Sequence, residues 1–343
     1  MLDPTDGTCV YTNLRRAAAL MPLLACLALG ACSSGSGAAG STTSSSPATS
    51  AAPDAGSSAG SAATTSGIIV AGAYGTTPTV TIPATAAPTQ LTQQTLVEGT
   101  GATIAAGDTL VANYVGETWA AKPNVFDSSF SRGAPAGFVI GTGQVIPGWD
   151  KTLVGKKVGS RVVLTIPPAD GYGTSGNSQA GISSTDTLVF VVDLVATYKP
   201  DASAPGTIDS AMPSAGWPKI TNTPATPPTI TSVAGVTAPE APTSKLLVKG
   251  GGAELDTSKT LVLQVVQTDL ATGKNTESTW GQAPQLVAAA NVVQVIDALS
   301  GQSVGARAIA LLPATAAVPA TSTSAAEPAA AAEIMIVDVV GQF

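Results

Sequence analysis

The chain has 343 residues, 15 Lys and Arg against 22 Asp and Glu, a formal net charge of −7, no His and three Cys. Without His there is no Ser-His-Asp or Cys-His couple and no imidazole metal site. The acidic balance also lacks the basic face that binding to nucleic acid requires. On length, about two domains are expected. Aromatic residues make up only 4% of the chain, so where they fall carries information.

Arg15 and Arg16 precede an apolar run from Ala17 to Ala31 that includes Leu23, Leu24, Leu27 and Leu29. A basic segment followed by a short apolar one reads as a secretory signal, too short to span a membrane. Residues 1–31 are assigned to it. The run ends Leu29-Gly30-Ala31-Cys32 and passes into Ser33-Ser34-Gly35. This resembles a bacterial lipobox, in which cleavage before the Cys leaves an N-terminal Cys that carries lipid. An ordinary signal with a chance Cys is the plainer alternative. Cys9 and Cys26 precede the cut, so Cys32 would be the one Cys left and no internal disulfide could form. The expected location is extracytoplasmic, lipid-anchored through Cys32 to the bacterial cell membrane.

Residues 32–66 form the lipidated Cys and a linker that is almost wholly Ser, Gly, Ala and Thr. Such a segment has too little apolar bulk to offset its ordering entropy and reads as a flexible tether. It would span roughly 30 Å root-mean-square. Two stretches of similar length follow, 67–199 and 206–343, joined by Pro200–Pro205, and they resemble each other. Thr79–Pro83 is matched with Pro218–Thr221, Leu96–Gly101 with Leu247–Gly252 and Thr109–Val111 with Thr260–Val262. Leu153–Gly159 is matched with Leu299–Gly305 and Val189–Val195 with Ile334–Val340. A period of this length reads as a duplicated domain.

In the first stretch, Leu110, Ala112 and Tyr114 alternate with Val111, Asn113 and Val115, the period-2 pattern of a strand. Arg161–Ile166 and Thr187–Val195 are β-branched runs of strand length. Gly148–Val154 reads as a short helix, with Pro147 at its start and Gly155 at its C-cap. Trp149 and Leu153, four apart, share one face of it. The expected class is α+β: two domains, each an antiparallel sheet wrapped around one short helix.

The motifs that carry chemistry lie in 95–198. They are Val125-Phe126-Asp127-Ser128-Ser129, Arg132-Gly133, Phe138-Val139-Ile140-Gly141 and Gly143-Gln144-Val145-Ile146-Pro147-Gly148-Trp149-Asp150. Ile166-Pro167-Pro168, Gly171-Tyr172-Gly173 and Thr187-Leu188-Val189-Phe190 complete the set. Together, in this order and spacing, they resemble the FK506-binding-protein family of peptidyl-prolyl cis-trans isomerases. Each block alone has a plainer reading: aromatic residues in a β domain are usually core, Gly171–Gly173 can be a turn, and Asp127 with Arg132 can be a surface pair.

The resemblance implies a catalytic set of Asp127, Tyr172, Trp149 and Phe126. Its substrate-binding set is Tyr114, Arg132, Phe138, Gln144, Val145, Ile146, Ile182 and Phe190. It implies X-Pro segments of exported proteins as partners, FK506-like macrolides as ligands, no nucleic acid, no metal and no cofactor. Ala136 stands where the human-type domain has an aromatic and Asn177 where it has His, so the rim departs from the pattern. Trp149 is expected as the floor, Tyr172 as a hydrogen-bond donor to the substrate carbonyl and Ile182 as a nearby wall. Asp127 would pair with Arg132 and accept a bond from Tyr114. The rival function is a non-catalytic chaperone, or a module of the cell envelope that binds Pro-containing peptides.

The second stretch keeps scaffold positions and loses these residues. Val265 answers to Tyr114, Val295 to Trp149 and Met335 to Phe190, and no Phe-Asp-Ser-Ser occurs between Thr268 and Gln285. It is expected to be a degenerate, inactive copy.

Overall fold

The computed structural model describes residues 62–63, 66–120, 122–209, 215–316 and 329–343. The signal, Cys32 and most of the Ser/Gly/Ala stretch lie outside the described residues. Strand β1 (Ala62–Ala63) lies within the expected tether and pairs with β2 (Ile69–Ala71), which pairs in turn with β3 (Thr79–Thr81).

The main sheet of the first half uses β4 (Thr92–Val97), β5 (Thr109–Thr118), β6 (Val125–Ser128), β7 (Ala136–Val139), β8 (Arg161–Ile166) and β9 (Leu188–Tyr198). The order is β4-β8-β9-β5-β6, all antiparallel. The free edge of β5 is shared: β7 pairs along Thr109–Ala112 and β6 along Val115–Glu117. Tyr114 therefore sits where the two edge strands meet. Helix α1 (Ser129–Arg132) is a single turn, capped by Ser128 and ended by Gly133 in the left-handed region. It adds to the one helix that the sequence suggests. Helix α2 (Pro147–Leu153) is that helix, with proline at its first turn.

One sheet face packs on α2. Leu110, Ala112 and Tyr114 meet Trp149, Leu153, Leu164, Phe190 and Val192 there. Each such aliphatic side chain contributes roughly 1.5–3 kcal/mol on burial. The opposite face is covered by the β2–β3 hairpin, through Val70 and Val80 against Val163, Val189 and Val191. Arg161 and Asp193, each about 1% exposed, clamp that hairpin. The guanidinium donates to Asp193 at 2.6 and 2.7 Å and to the carbonyls of Gly72 and Thr76 at 2.7 and 2.8 Å.

The second half contains β10 (Thr207–Ile208), β11 (Lys219–Thr221), β12 (Thr229–Ser232), β13 (Thr243–Lys249), β14 (Thr260–Asp269), β15 (Asn275–Ser278) and β16 (Gln285–Ala288). Helix α3 (Ala289–Val295), β17 (Arg307–Leu312) and β18 (Glu333–Gln342) complete it. Its sheet runs β10-β13-β17-β18-β14-β15, with β16 on β14. Leaving out β10, this is the order of the first sheet. Arg307 binds Asp338 at 2.5 and 2.7 Å and the carbonyls of Thr223 and Thr226 at 3.2 and 2.6 Å. These contacts set β12, not β11, in the place of β3. The sequence match of Thr79–Pro83 with Pro218–Thr221 was thus one strand out of step. Thr229-Ile230-Thr231 is the better counterpart of Thr79-Val80-Thr81.

The Pro200–Pro205 junction is bonded into the second half. Pro200 O accepts from Gln264 Nε2 and Gly281 N, both at 2.9 Å, and Ala204 N donates to Asp338 Oδ2 at 2.7 Å. The halves also touch directly. Gly137 of β7 lies against the Leu286 side chain of β16, close enough that a Cβ there would displace Leu286 Cδ1.

Candidate active site

The site is built where β5 loses one edge partner and gains another. Tyr114 from β5 points to the α2 side. Its ring centroid lies 5.6 Å from Phe138 on β7, 5.5 Å from Trp149 on α2 and 6.4 Å from Phe190 on β9. Phe138 is 4.9 Å from Trp149, Trp149 is 5.3 Å from Phe190, and Phe126 on β6 is 5.5 Å from Phe190. The close pairs are edge-to-face, the arrangement that the ring quadrupoles favour. Tyr114, Trp149 and Phe190 are buried, while Phe126, Phe138, Val145 and Ile146 are half-buried and pack against them. The result is a buried aromatic floor with a half-exposed apolar rim.

Gly116 makes the arrangement fit. A Cβ there would meet the Phe126 and Phe190 rings at 2.7 Å, so the rings occupy space that only glycine leaves.

Polar groups sit along one edge. Tyr114 Oη donates to Asp127 Oδ2 at 2.5 Å, and Arg132 donates to Asp127 Oδ1 and, at 2.7 Å, to Tyr114 Oη. Burial pushes the Tyr114 phenol well above its ordinary range, with the Asp127 bond acting in the same direction. Burial works against the Arg132 charge, but bonds to Tyr114 and Asp127 outweigh it and raise its pKa. The one-turn helix α1 lets Arg132 return onto Asp127, five residues earlier. Ser129 Oγ holds the β5 backbone here, accepting from Tyr114 N at 2.8 Å.

The loops add the remaining residues. Asp150 accepts from Gly141 N and Gly143 N, both at 2.6 Å, fixing the turn before Val145 and Ile146. Lys151 pairs with Asp170 at 2.6 Å, tying α2 to the turn before Tyr172. Tyr172 is 36% exposed. Burial raises its pKa, the Asn177 side chain lowers it and the charge of Asp127 raises it. Asn177 and Ile182 exchange backbone hydrogen bonds at 2.8 and 2.9 Å, and Ile182 is buried in the same core. Of the residues named from the sequence, Gln144 and Tyr172 lie exposed in their loops.

Sequence reasoning passed over two features. Glu117 is 8% exposed on the hairpin side of β5. In the second half Glu277 faces Gln267, as Asp127 faces Gly116. The stretch 275–279 thus stands where 125–129 does. Thr279 Oγ1 accepts from Val265 N at 2.8 Å, as Ser129 does from Tyr114. Without a Phe or Asp to announce it, that register had no signal in the sequence.

An antiparallel sheet folded over a short helix carries an aromatic hollow edged by a Tyr-Asp-Arg set. The family model for FKBP-type peptidyl-prolyl cis-trans isomerases matches residues 101–195. An FK506-binding protein of Streptomyces anulatus is 41% identical over 119 residues, 35% of this chain and 95% of that protein. FK506-binding protein 2 of Yarrowia lipolytica is 45% identical over 89 residues, 26% of this chain and 60% of its own length. The peptidyl-prolyl cis-trans isomerase FKBP15-1 of Arabidopsis thaliana is 48% identical over 90 residues, 26% of this chain and 57% of its own. The chain spans less than two thirds of the length of these last two. It belongs to the FKBP-type peptidyl-prolyl cis-trans isomerase family.

Proposed function

We propose that the chain isomerises X-Pro peptide bonds of exported proteins, and that the aromatic hollow of the first half is where it does so. Uncatalysed rotation about the bond faces a barrier of about 18–20 kcal/mol and takes tens of seconds or more. At the barrier the amide has lost its resonance and much of its charge separation, so it is less polar than the planar form. An apolar hollow binds that twisted form better than water does and lowers the barrier without a nucleophile, metal or general base.

The observation that carries this reading is the set of rings around Trp149, closed on one edge by Tyr114, Asp127 and Arg132. Trp149 underlies the proline ring. Phe126, Val145, Ile146 and Phe190 form the wall. Tyr172, exposed and at the mouth, donates to the substrate carbonyl. Asp127 holds Tyr114 and Arg132 in place and keeps the hollow in shape.

The second half acts as a degenerate copy in this reading. Thr276 and Glu277 stand at the Phe126 and Asp127 positions, Val265 at Tyr114 and Met335 at Phe190, so its hollow lacks rings. In this reading the signal and lipobox-like segment, residues 1–35, direct the protein outside the cytoplasm with a lipid anchor on Cys32. FK506-like macrolides would compete for the hollow. A proline-limited refolding assay on an exported protein tests the proposal. The slow phase is expected to shorten with the full chain and to return when a macrolide is added; an unchanged slow phase contradicts it.

A further inference from the structure

Beside β6 lies a cleft of about 480 Å³, walled by Thr77 and Pro78 of the β2–β3 hairpin and by Val115, Glu117 and Val125 of the sheet, and reaching Phe126, Asp127 and Arg132 of the polar edge. The hairpin wall precedes residues 101–195, the part that the family model matches. Cross-strand pairing puts Glu117 beside Val125 and Val189, and Val115 beside Val191, on the face that the hairpin covers.

Glu117 is more than nine-tenths buried, and its carboxyl bonds to nothing among the described residues. Every other buried carboxylate of the first half is engaged: Asp193 by Arg161, and Asp108 by Ala105 N and Thr197. Partial burial pushes the Glu117 carboxyl above its ordinary range. Arg132, which also lines the cleft, is already held by Asp127 and Tyr114.

We propose that this cleft binds a cation carried on an aliphatic stem, the chemistry of a lysine side chain, with Glu117 as its counter-ion. Pro78, Val115 and Val125 cover the stem, as apolar surface does for lysine methylenes elsewhere. The ammonium replaces the missing partner of Glu117. The cleft and the aromatic hollow share Phe126, Asp127 and Arg132, and Glu117 belongs to the cleft alone. The inference does not require the hollow to be catalytic.

The test is an NMR titration of the full chain with three probes: Nα-acetyl-lysine methylamide, its norleucine counterpart and n-butylammonium chloride. The lysine probe is expected to shift the amide signals of Thr77, Glu117 and Val125, and norleucine to leave them in place. Glu117→Gln, which keeps size and fold, should weaken binding about tenfold or more, the usual worth of a charge-assisted bond. X-Pro isomerisation by that variant should be unchanged. Equal binding of n-butylammonium supports the site and makes free amines its ligands. Tighter binding of the lysine probe supports it and assigns it to polypeptide side chains. Equal shifts by norleucine, or undiminished binding by Glu117→Gln, would overturn it.

Discussion

The Tyr114 hydroxyl donates to Asp127 at 2.5 Å while accepting from Arg132 at 2.7 Å, so one phenol joins an acid and a base that already touch. Removing the hydroxyl leaves the Arg132–Asp127 pair but frees it from the ring. Tyr114→Phe should cost about 1 kcal/mol of stability, the net worth of such a bond, and lower kcat/KM more than that loss explains. Asp127→Val should reduce turnover further, because Arg132 and Tyr114 then lose their shared acceptor. Thermal melts beside a peptide isomerase assay separate the two effects; equal loss in both would make the cluster structural only.

Gly116 gives a steric prediction. A methyl placed there meets the Phe126 and Phe190 rings at 2.7 Å. Gly116→Ala should therefore push both rings from their edge-to-face contact, at about 1–3 kcal/mol for overpacking. KM for an X-Pro peptide should rise. Unchanged KM in a folded variant would mean that the wall does not touch substrate.

The buried pair of Arg161 and Asp193 should show strong coupling. Asp193→Leu leaves a guanidinium with no counter-charge and should cost about 3–5 kcal/mol. Adding Arg161→Met should restore part of the loss, because the uncompensated charge goes with it. The hairpin should then loosen, since Gly72 and Thr76 lose their donor. Urea titration of the two variants, with hydrogen exchange at Val70 and Val80, measures both outcomes. Additive losses would show that the pair is not coupled.

A pH effect is expected in the second half. Burial, with the charge of Glu333 second, pushes Glu277 up to about 7. Its folded pKa exceeds the unfolded one, so it favours folding in full below the unfolded value, near 4.5. That contribution falls away as pH rises through about 7. Stability should therefore decline between pH 5 and pH 8, and Glu277→Gln should flatten the decline. A slope unaltered by the substitution would assign the effect to other groups.

Much of the first half was legible in sequence because its signals are local. Alternation in Leu110–Val115 marked β5, and Pro147 with Gly155 bracketed α2. The ring cluster of Phe126, Trp149 and Phe190 was reached through the resemblance of the motifs to a known family. What escaped depends on distant partners. Arg161 in Arg161–Ile166 looks misplaced within an apolar strand until Asp193 and the hairpin carbonyls surround it. Glu117 gave no sign of being buried, because the hairpin that covers it lies some forty residues earlier and shares no periodicity with it. The one-strand error at Pro218–Thr221 has the same origin: two Thr-rich hairpin strands look alike until Arg307 selects its carbonyls.

The central claim is that the hollow eases rotation of an X-Pro bond, and NMR exchange between the cis and trans forms of a short X-Pro peptide measures it directly. With the full chain present, exchange should accelerate far beyond the uncatalysed rate, persist in Glu277→Gln and collapse in Trp149→Ala variants that remain folded. Exchange at the uncatalysed rate, while the same peptide still quenches Trp149 fluorescence, would make the hollow a binding site and contradict the claim.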